Sequence, residues 1–411
     1  MRIVIPRGIV YHKVSQDIFA LLKSFVSPID NKETVQKFET SFAKYNGSKH
    51  CLSFPFARIG IYYALKSQNF PAGSEILMPP ITIKAILDVV LYLGLKPVFV
   101  DIDSQTLCFD IEKVKSSINE NTKAILITYL FGIVPNIEDL VSVCKDKGIF
   151  TIEDFSQCLN GTYKGQKVGN FADVGIYSAS SIKTFDTYGG GLFVTNDSKI
   201  AVQMKKFQSM LVKPSRLRLV KAIITDLIRN FATTRLIFHF AVFPLIRILG
   251  ALKEGSTIKH TGDRDKKMID SLPQEWFSKF SSFQANIGFS YLDNISSGDS
   301  SRIQNVNYLK LNCKNIEFPK GVSESKNVYW QLIAYFDCPI SVQKAMHRNK
   351  IDTSTTSLEK ISTLSAYPHQ GDTPCADRLY TKGLFIPSYP GLSDNDLTHI
   401  VNTLTSIRGN I

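Results

Sequence analysis

Two metal- and disulfide-building patterns are missing from the chain. None of the seven cysteines (Cys51, Cys108, Cys144, Cys158, Cys313, Cys338, Cys375) has a partner at CxxC spacing, and the seven histidines form no HExxH pair. A reduced compartment with no structural metal is therefore the simplest reading. The start, "MRIVIPRGIVYHK", is basic but has no apolar stretch of signal-peptide length, so the expected location is the cytoplasm. Long apolar runs are missing too. "LIFHFAVFPLI" holds only eleven uncharged residues, with Pro244 inside, too few for an ordinary membrane span. Repeats, low-complexity tracts, recognition helices, zinc fingers and RNA-binding signatures are all absent, so no nucleic-acid partner is expected.

Acidic residues are scarce in one place. From Lys205 to Lys253 there are ten bases (Lys205, Lys206, Lys213, Arg216, Arg218, Lys221, Arg229, Arg235, Arg247, Lys253) against Asp226 alone, so this block supplies +9 of the net charge of +12. The rest of the chain is nearly neutral. Within the block, Val220, Ile223, Ile224, Leu227, Ile228 and Phe231 recur at the spacing of one helix face, with Arg218, Lys221, Thr225 and Arg229 on the other. Such a face ordinarily packs on the protein's own core or a dimer partner, with its bases solvated. The concentration of charge also fits a helix lying on an anionic membrane, on its inner face, through residues 205–253.

What the chain does have, over residues 75–200, is alternation. "EILMPP", "KPVFVDID", "KAILITYLFG" and "FTIEDFSQ" read as strands, separated by helical patterns in "IKAILDVVLYLG", "DIEKVKSSI" and "NIEDLVSVCKDKG". That rhythm predicts an α/β fold with a mostly parallel sheet, whose ligands gather at the C-terminal strand ends. Further on, "FQANIGFSYLDNI" predicts a helix and "NVYWQLIAYF" a strand of a smaller α+β domain. The expected division is a large domain over 1–204, a basic insertion over 205–265 and a C-terminal domain over 266–411.

The chemistry is concentrated in "IEDFSQ" and "YSASSIKTFDTYGGGLFVTND". Asp154 stands at a strand end with Gln157 three residues on; Ser178 precedes Lys183 by five residues, and three glycines follow. A lysine, a carboxylate and a small hydroxyl beside a glycine turn are what a pyridoxal phosphate site requires. The amine forms a Schiff base with the aldehyde, the carboxylate keeps the pyridine nitrogen protonated, and hydroxyls with a helix N-terminus hold the phosphate. Each residue also has an ordinary structural reading: a hairpin lysine, a turn aspartate, a capping glutamine, a strand-end serine.

The stretch 152–197, together with "FETSFAKYNGSKHCLSF", "LKPVFVDIDSQTLCFDIEKV", "SSFQANIGFSYLDNI" and "RLYTKGLFIPSYPGLSDNDL", resembles the DegT/StrS-type sugar aminotransferases, which are fold-type-I pyridoxal phosphate enzymes. The resemblance covers most of the chain apart from 205–265. It implies that Lys183 is the Schiff-base lysine, Asp154 the pyridine-nitrogen carboxylate, Gln157 the partner of the ring hydroxyl and Ser178 a phosphate ligand. Family members with histidine in place of the lysine are dehydratases, so Lys183 favours transamination.

The chain departs from the family in three places. The family's phosphate-loop Ser-Gly-Thr is Phe56-Ala57-Arg58 here, which offers Arg58 as a replacement anchor, although an arginine at a helix start often serves a structural ion pair. The ring-stacking aromatic is Ile83, after Thr82, itself a candidate helix cap. The family's Asn-Tyr-Arg-Met, which reaches the neighbouring subunit's site, becomes Phe277-Ser278-Lys279-Phe280. The implied protein is a homodimer that passes an amino group from a donor such as glutamate to a keto-sugar, nucleotide- or lipid-linked, for amino-sugar or surface-glycan synthesis. Other pyridoxal phosphate reactions (dehydration, elimination, transamination of a lipid) and a catalytically silent membrane scaffold are the rival readings.

Overall fold

A computed structural model gives the fold and describes residues 2–252, 271–355, 358–363 and 371–408. Seven strands share one sheet: β1 His50–Phe54, β2 Glu75–Met78, β3 Lys96–Phe99, β4 Thr122–Thr128, β5 Phe150–Asp154, β6 Val174–Ser178 and β7 Gly191–Thr195. They lie in the order β1-β7-β6-β5-β4-β2-β3. Pairing is parallel from β3 through β6, and only β7 runs the other way, antiparallel to both β6 and β1. The expected mostly parallel α/β sheet is what forms.

Both faces of this sheet are apolar because helices cover both. In β4, Ile125 and Ile127 point into a core shared with α2 (Lys32–Asn46) and α6 (Ile137–Asp146) through Phe38, Phe42 and Leu140. Their neighbours Ala124 and Leu126 point the opposite way, into a core shared with α3 (Ala57–Ser67), α4 (Lys84–Tyr92) and α7 (Ser198–Met210) through Ile59, Leu87 and Met204. A continuous "AILI" run is thus the signature of a doubly covered strand. The helix boundaries follow local chemistry. Asn31 accepts a hydrogen bond from Thr34 N at 2.9 Å to open α2, and Gly47 closes it in the left-handed region at φ 79°.

A third core lies in the C-terminal part, between the antiparallel strands Leu332–Tyr335 and Gly383–Ile386 and the helices Ile295–Asn312, Pro339–Arg348 and Asp394–Arg408. The strand predicted over "NVYWQLIAYF" is confined to its last part. Val328 N and Tyr329 N are drawn instead to the Gly132 carbonyl, at 2.9 and 3.3 Å, so the first half docks on the large sheet's loops.

The basic block begins in α7 and continues in α8, Arg216–Thr233, beside α1, Val14–Val26. The helix expected at α8 is present, but its faces differ from the expectation. Leu219 and Ile223 are buried together with Asp226 and Asn230, whereas Leu217, Ile224, Ile228 and Phe231 are exposed. Arg218 and Arg229 are not simply solvated: they donate to Ser278 Oγ at 2.5 Å and Ser181 Oγ at 2.7 Å. The polar groups win the inward face because polar partners wait there, as Asn230 Nδ2 donates to Asp17 Oδ2 at 2.7 Å and to the His12 carbonyl at 2.6 Å. Lys253 and the end of the expected insertion, 253–265, lie outside the described residues.

Candidate active site

The loops after β1, β2, β4, β5 and β6 leave the sheet at one edge, the C-terminal ends of its parallel strands. Asp154 is the last residue of β5, paired with Thr128 on β4 and Ile176 on β6. Its carboxylate is buried and accepts from Ser156 N at 3.0 Å. Burial pushes its pKa up, while the Ser156 hydrogen bonds and the charge of Lys183 oppose that shift. Ser156 Oγ in turn accepts from Ser178 N at 2.9 Å, which ties the end of β6 to the turn after β5.

Lys183 sits in the loop between β6 and β7. The residue is partly exposed, yet protein atoms crowd its amine, and this desolvation pushes the pKa down to about 8 against the pull of Asp154. Its Nζ lies 4.1 Å from the centre of the Trp330 ring. Trp330 Nε1 donates to the carbonyl of Ile182 at 2.8 Å, so the indole holds both the lysine's side chain and its neighbouring backbone. Ile182 has φ 70°, a conformation that a β-branched residue adopts only under constraint.

Three more candidates, Gln157, Ser178 and Ala57, lie at or beyond the ends of β5, β6 and β1. Gln157 Oε1 accepts from Phe131 N at 2.7 Å, which orients the amide with its NH₂ end as remaining donor. Ser178 Oγ is 3.0 Å from Ser180 Oγ. Ser178 also stands opposite Gly191 on β7, and Gly191 opposite Phe54 on β1, so the row leads to the N-terminus of α3 at Ala57. Gly189 and Gly190, at φ 100° and 120°, make the turn, and Phe56 bridges to Gly190. A Cβ on Gly191 would lie 2.4 Å from Ala57 N, so that close approach requires glycine.

The other candidates are placed differently. The Arg58 guanidinium lies between the rings of Phe56 and Trp276, 4.3 and 4.1 Å from their centres. Thr82 is buried, and Ile81–Thr82 pairs with Glu359–Lys360; the N-cap position of α4 belongs to Ile83, so Thr82 is not the cap. Ile83 is 45% exposed beyond the end of β2. Lys279 lines a cavity of about 100 Å³ with Phe56, Gly189 and Arg218, close to the glycine turn of its own chain.

Sequence reasoning missed Trp330, Ser156 and the Arg229–Ser181 contact. Trp330, one of only two tryptophans, sat unremarked inside a segment read as strand. It also missed the role of Glu153, whose carboxylate faces away from Asp154 and accepts from Tyr129 OH and from the backbone N–H groups of Gly169, Phe171 and Ala172. A second cavity of about 270 Å³ opens beside Thr184, Phe185 and Asp186, against Tyr11, His12 and Arg302.

A family model described as the DegT/DnrJ/EryC1/StrS aminotransferase family matches residues 16–224 and 260–405. The GDP-perosamine synthase of Escherichia coli O157:H7 is 32% identical over 166 residues, 40% of this chain and 46% of that protein. The L-glutamine:2-deoxy-scyllo-inosose aminotransferase of Streptoalloteichus tenebrarius is 28% identical over 247 residues, 58% of this chain and 56% of that protein. The chain thus spans about half the length of such curated relatives. An uncharacterized Methanocaldococcus jannaschii protein, MJ1066, is matched over 90% of this chain and 89% of its own length at 25% identity. Among solved structures, Helicobacter pylori PseC, an aminotransferase involved in pseudoaminic acid biosynthesis, superposes with a TM-score of 0.76 at 20% identity and full coverage of both chains. The sugar aminotransferase CalS13 of Micromonospora echinospora gives 0.75 at 20% identity, covering 98% and 99%.

Proposed function

Because the chain belongs to the DegT/DnrJ/EryC1/StrS aminotransferase family, we propose that it is a pyridoxal 5'-phosphate-dependent aminotransferase that passes an amino group from a donor such as glutamate to a keto-sugar. The single observation that carries this reading is the lysine amine, depressed to a pKa of about 8, held beside a buried carboxylate at the C-terminal edge of a parallel sheet. The relatives named for perosamine and scyllo-inosose chemistry support the sugar acceptor. Its carrier, nucleotide or lipid, and its use in amino-sugar or surface-glycan synthesis belong to the same proposal.

The donor set fits the cofactor. Asp154 would meet the pyridine nitrogen, Gln157 the ring hydroxyl, and Ser178 with the N-terminal N–H groups of α3 at Ala57 the phosphate. Arg58 would stand in for the family's phosphate-loop threonine, and Ile83, after Thr82, for the aromatic that packs on the ring. When bound, the cofactor supplies an aldehyde and an electron-accepting ring. The chain's own part is to present Lys183 as a neutral amine that bonds the cofactor and later carries a proton at Nζ, with Trp330 fixing its position. A homodimer with sites at the subunit interface, a cytoplasmic location and contact with a membrane through residues 205–253 complete the proposal, with the three-part division at 204/205 and 265/266.

Absorbance of the purified protein before and after glutamate, with Lys183→Ala alongside, tests the reading. A band near the visible edge that shifts with glutamate and is absent or altered in Lys183→Ala is expected. No band after incubation with the cofactor overturns the enzyme reading in favour of a silent scaffold.

A further inference from the structure

We propose that α1, α8 and the helical segment after α8 form one face that rests in the plane of an anionic lipid bilayer. The inference builds on the membrane contact proposed above for residues 205–253 and enlarges it, because α1 lies outside that block.

The polarity of the helices carries the argument. A surface helix of a protein bathed in water turns its apolar stripe inward. Here α8 turns Asp226 and Asn230 inward beside Leu219 and Ile223, and leaves Leu217, Ile224, Ile228 and Phe231 outside, spaced along one stripe. Packed beside it, α1 does the same: Asp17 and Ser24 are buried, while Phe19, Leu22, Phe25 and Val26 are exposed. Past a bend of 66°, the segment Arg235–Ile248 buries Phe238 and Phe243 and exposes Leu236, Phe240, Leu245 and Ile248. Three neighbouring segments with apolar side chains outside make a patch that soluble monomers rarely tolerate.

Charge selects the occupant. Over 13–26 and 205–252, every charged residue that is exposed is a cation: Lys13, Lys23, Lys206, Lys213, Lys221 and Arg247. The acids of these segments, Asp17 and Asp226, are both buried. Lys23 lays its amine 4.3 Å from the centre of the Phe19 ring, an arrangement in which the stem covers apolar surface and the charge reaches a headgroup. A second copy meeting this face across a two-fold axis would bring the face against itself, cations toward cations. An anionic bilayer satisfies both halves at once: apolar insertion at the headgroup boundary and attraction for the basic rim. No single described helix is long and apolar enough to cross a membrane; α8 and Arg235–Ile248 reach that length and composition only as a pair, and the 66° bend between them with the inward Asp226 and Asn230 of α8 favours lying in the plane.

Flotation of the full-length protein with vesicles tests this, and it needs neither cofactor nor activity. Binding is expected to phosphatidylcholine vesicles containing phosphatidylserine, to weaken with added salt, and to be lost on phosphatidylcholine alone. Phe19→Ser and Leu22→Ser in α1 and Ile228→Ser and Phe231→Ser in α8 alter exposed side chains, and each should weaken partitioning by about tenfold or more, with circular dichroism unchanged. If wild type stays unbound, the whole membrane reading falls. If only the α8 variants lose binding, the role of α1 falls while the contact of 205–253 stands. Equal binding to both vesicle types overturns the anionic partner. Protein that does not float and turns from dimer to monomer on these substitutions assigns the face to a second copy.

Discussion

Lys183 stands between two opposing effects, burial that removes its proton and the Asp154 carboxylate that retains it. With the pKa near 8, the neutral amine is the minor form below that pH. The rate at which the protein captures added pyridoxal phosphate, read as borohydride-stable incorporation, should rise about tenfold per pH unit up to roughly pH 8 and then level off. In Asp154→Asn the stabilising charge is gone, so the midpoint should move to lower pH; a midpoint that stays in place would remove Asp154 from contact with the amine. Glu153, next door, has a different task. Its buried carboxylate accepts four hydrogen bonds, and Glu153→Gln would turn an amide N–H toward some of those donors. Thermal or urea unfolding should show a loss of about 2–4 kcal/mol. The "ED" pair was legible as a strand end with Asp154 as its candidate site acid, but not the division that gives Glu153 to the fold. That division depends on the loop 169–172, which folds back under β5, and Trp330 was hidden for the same reason: 147 positions separate it from Lys183 in the chain.

At the level of elements, the site depends on β7 and the turn before it. Gly191→Ala places a methyl 2.4 Å from Ala57 N, so either β7 or the start of α3 must retreat. Weaker retention of added cofactor on gel filtration, together with lower thermal stability, is the expected outcome; unchanged retention would separate the α3 terminus from the phosphate. A second junction joins α1, the Lys183 loop and α8. His12 is 3.1 Å from Asp17 and 3.1 Å from the Asp186 carbonyl, Tyr188 donates to Asp17 at 2.7 Å, and Asp186 faces Asp226, which Arg229 approaches to 3.8 Å. Burial opposes charge on His12, but its hydrogen bond and proximity to Asp17 and Asp186 leave its pKa raised. Burial pushes Asp186 up to about 8. Both groups bind protons more tightly folded than unfolded, so both make stability fall as pH rises. Asp186 acts from its ordinary carboxylate range up to about 8, and His12 from about 6.5 upward. The melting temperature should therefore drop between about pH 6.5 and 7.5, below the range near 8 where the depressed Lys183 and Lys310 ammonium groups act in the opposite sense, and Asp186→Asn should flatten that slope. The strands and helices of 75–200 were readable because apolar runs and amphipathic periods there obey local rules. The orientation of α8 was not, since Asp226 and Asn230 are drawn inward by partners on α1 and on the Lys183 loop that no local window contains.

For the molecule as a whole, the hydrophobic core of the C-terminal part is shared with residues from the first half of the chain. The C-terminal core is completed from the large domain: Ile5, Ile81, Ile102, Leu107, Leu130 and Phe131 are fully buried in it. At about 1.5–3 kcal/mol for each fully buried large side chain, an upper estimate, these six contribute roughly 9–18 kcal/mol. That is comparable with the whole net stability of a typical domain. Polar links follow the same path. Arg7 pairs with Asp352 at 2.6 Å, and Ile5 pairs with Ile351. The carboxylate of Asp101, also paired with Lys113, accepts from Cys375 N and Ala376 N at 3.0 and 2.9 Å, at the N-terminus of helix Pro374–Lys382, where a negative charge is favoured. Residues 266–411 expressed alone should therefore lack near-UV circular dichroism, and the full chain should melt in one calorimetric transition that Asp101→Ala shifts down without splitting. Two resolved transitions in the wild type, or a fragment with native-like aromatic signals, would show that the small domain is stable by itself and that the six apolar side chains only dock upon it.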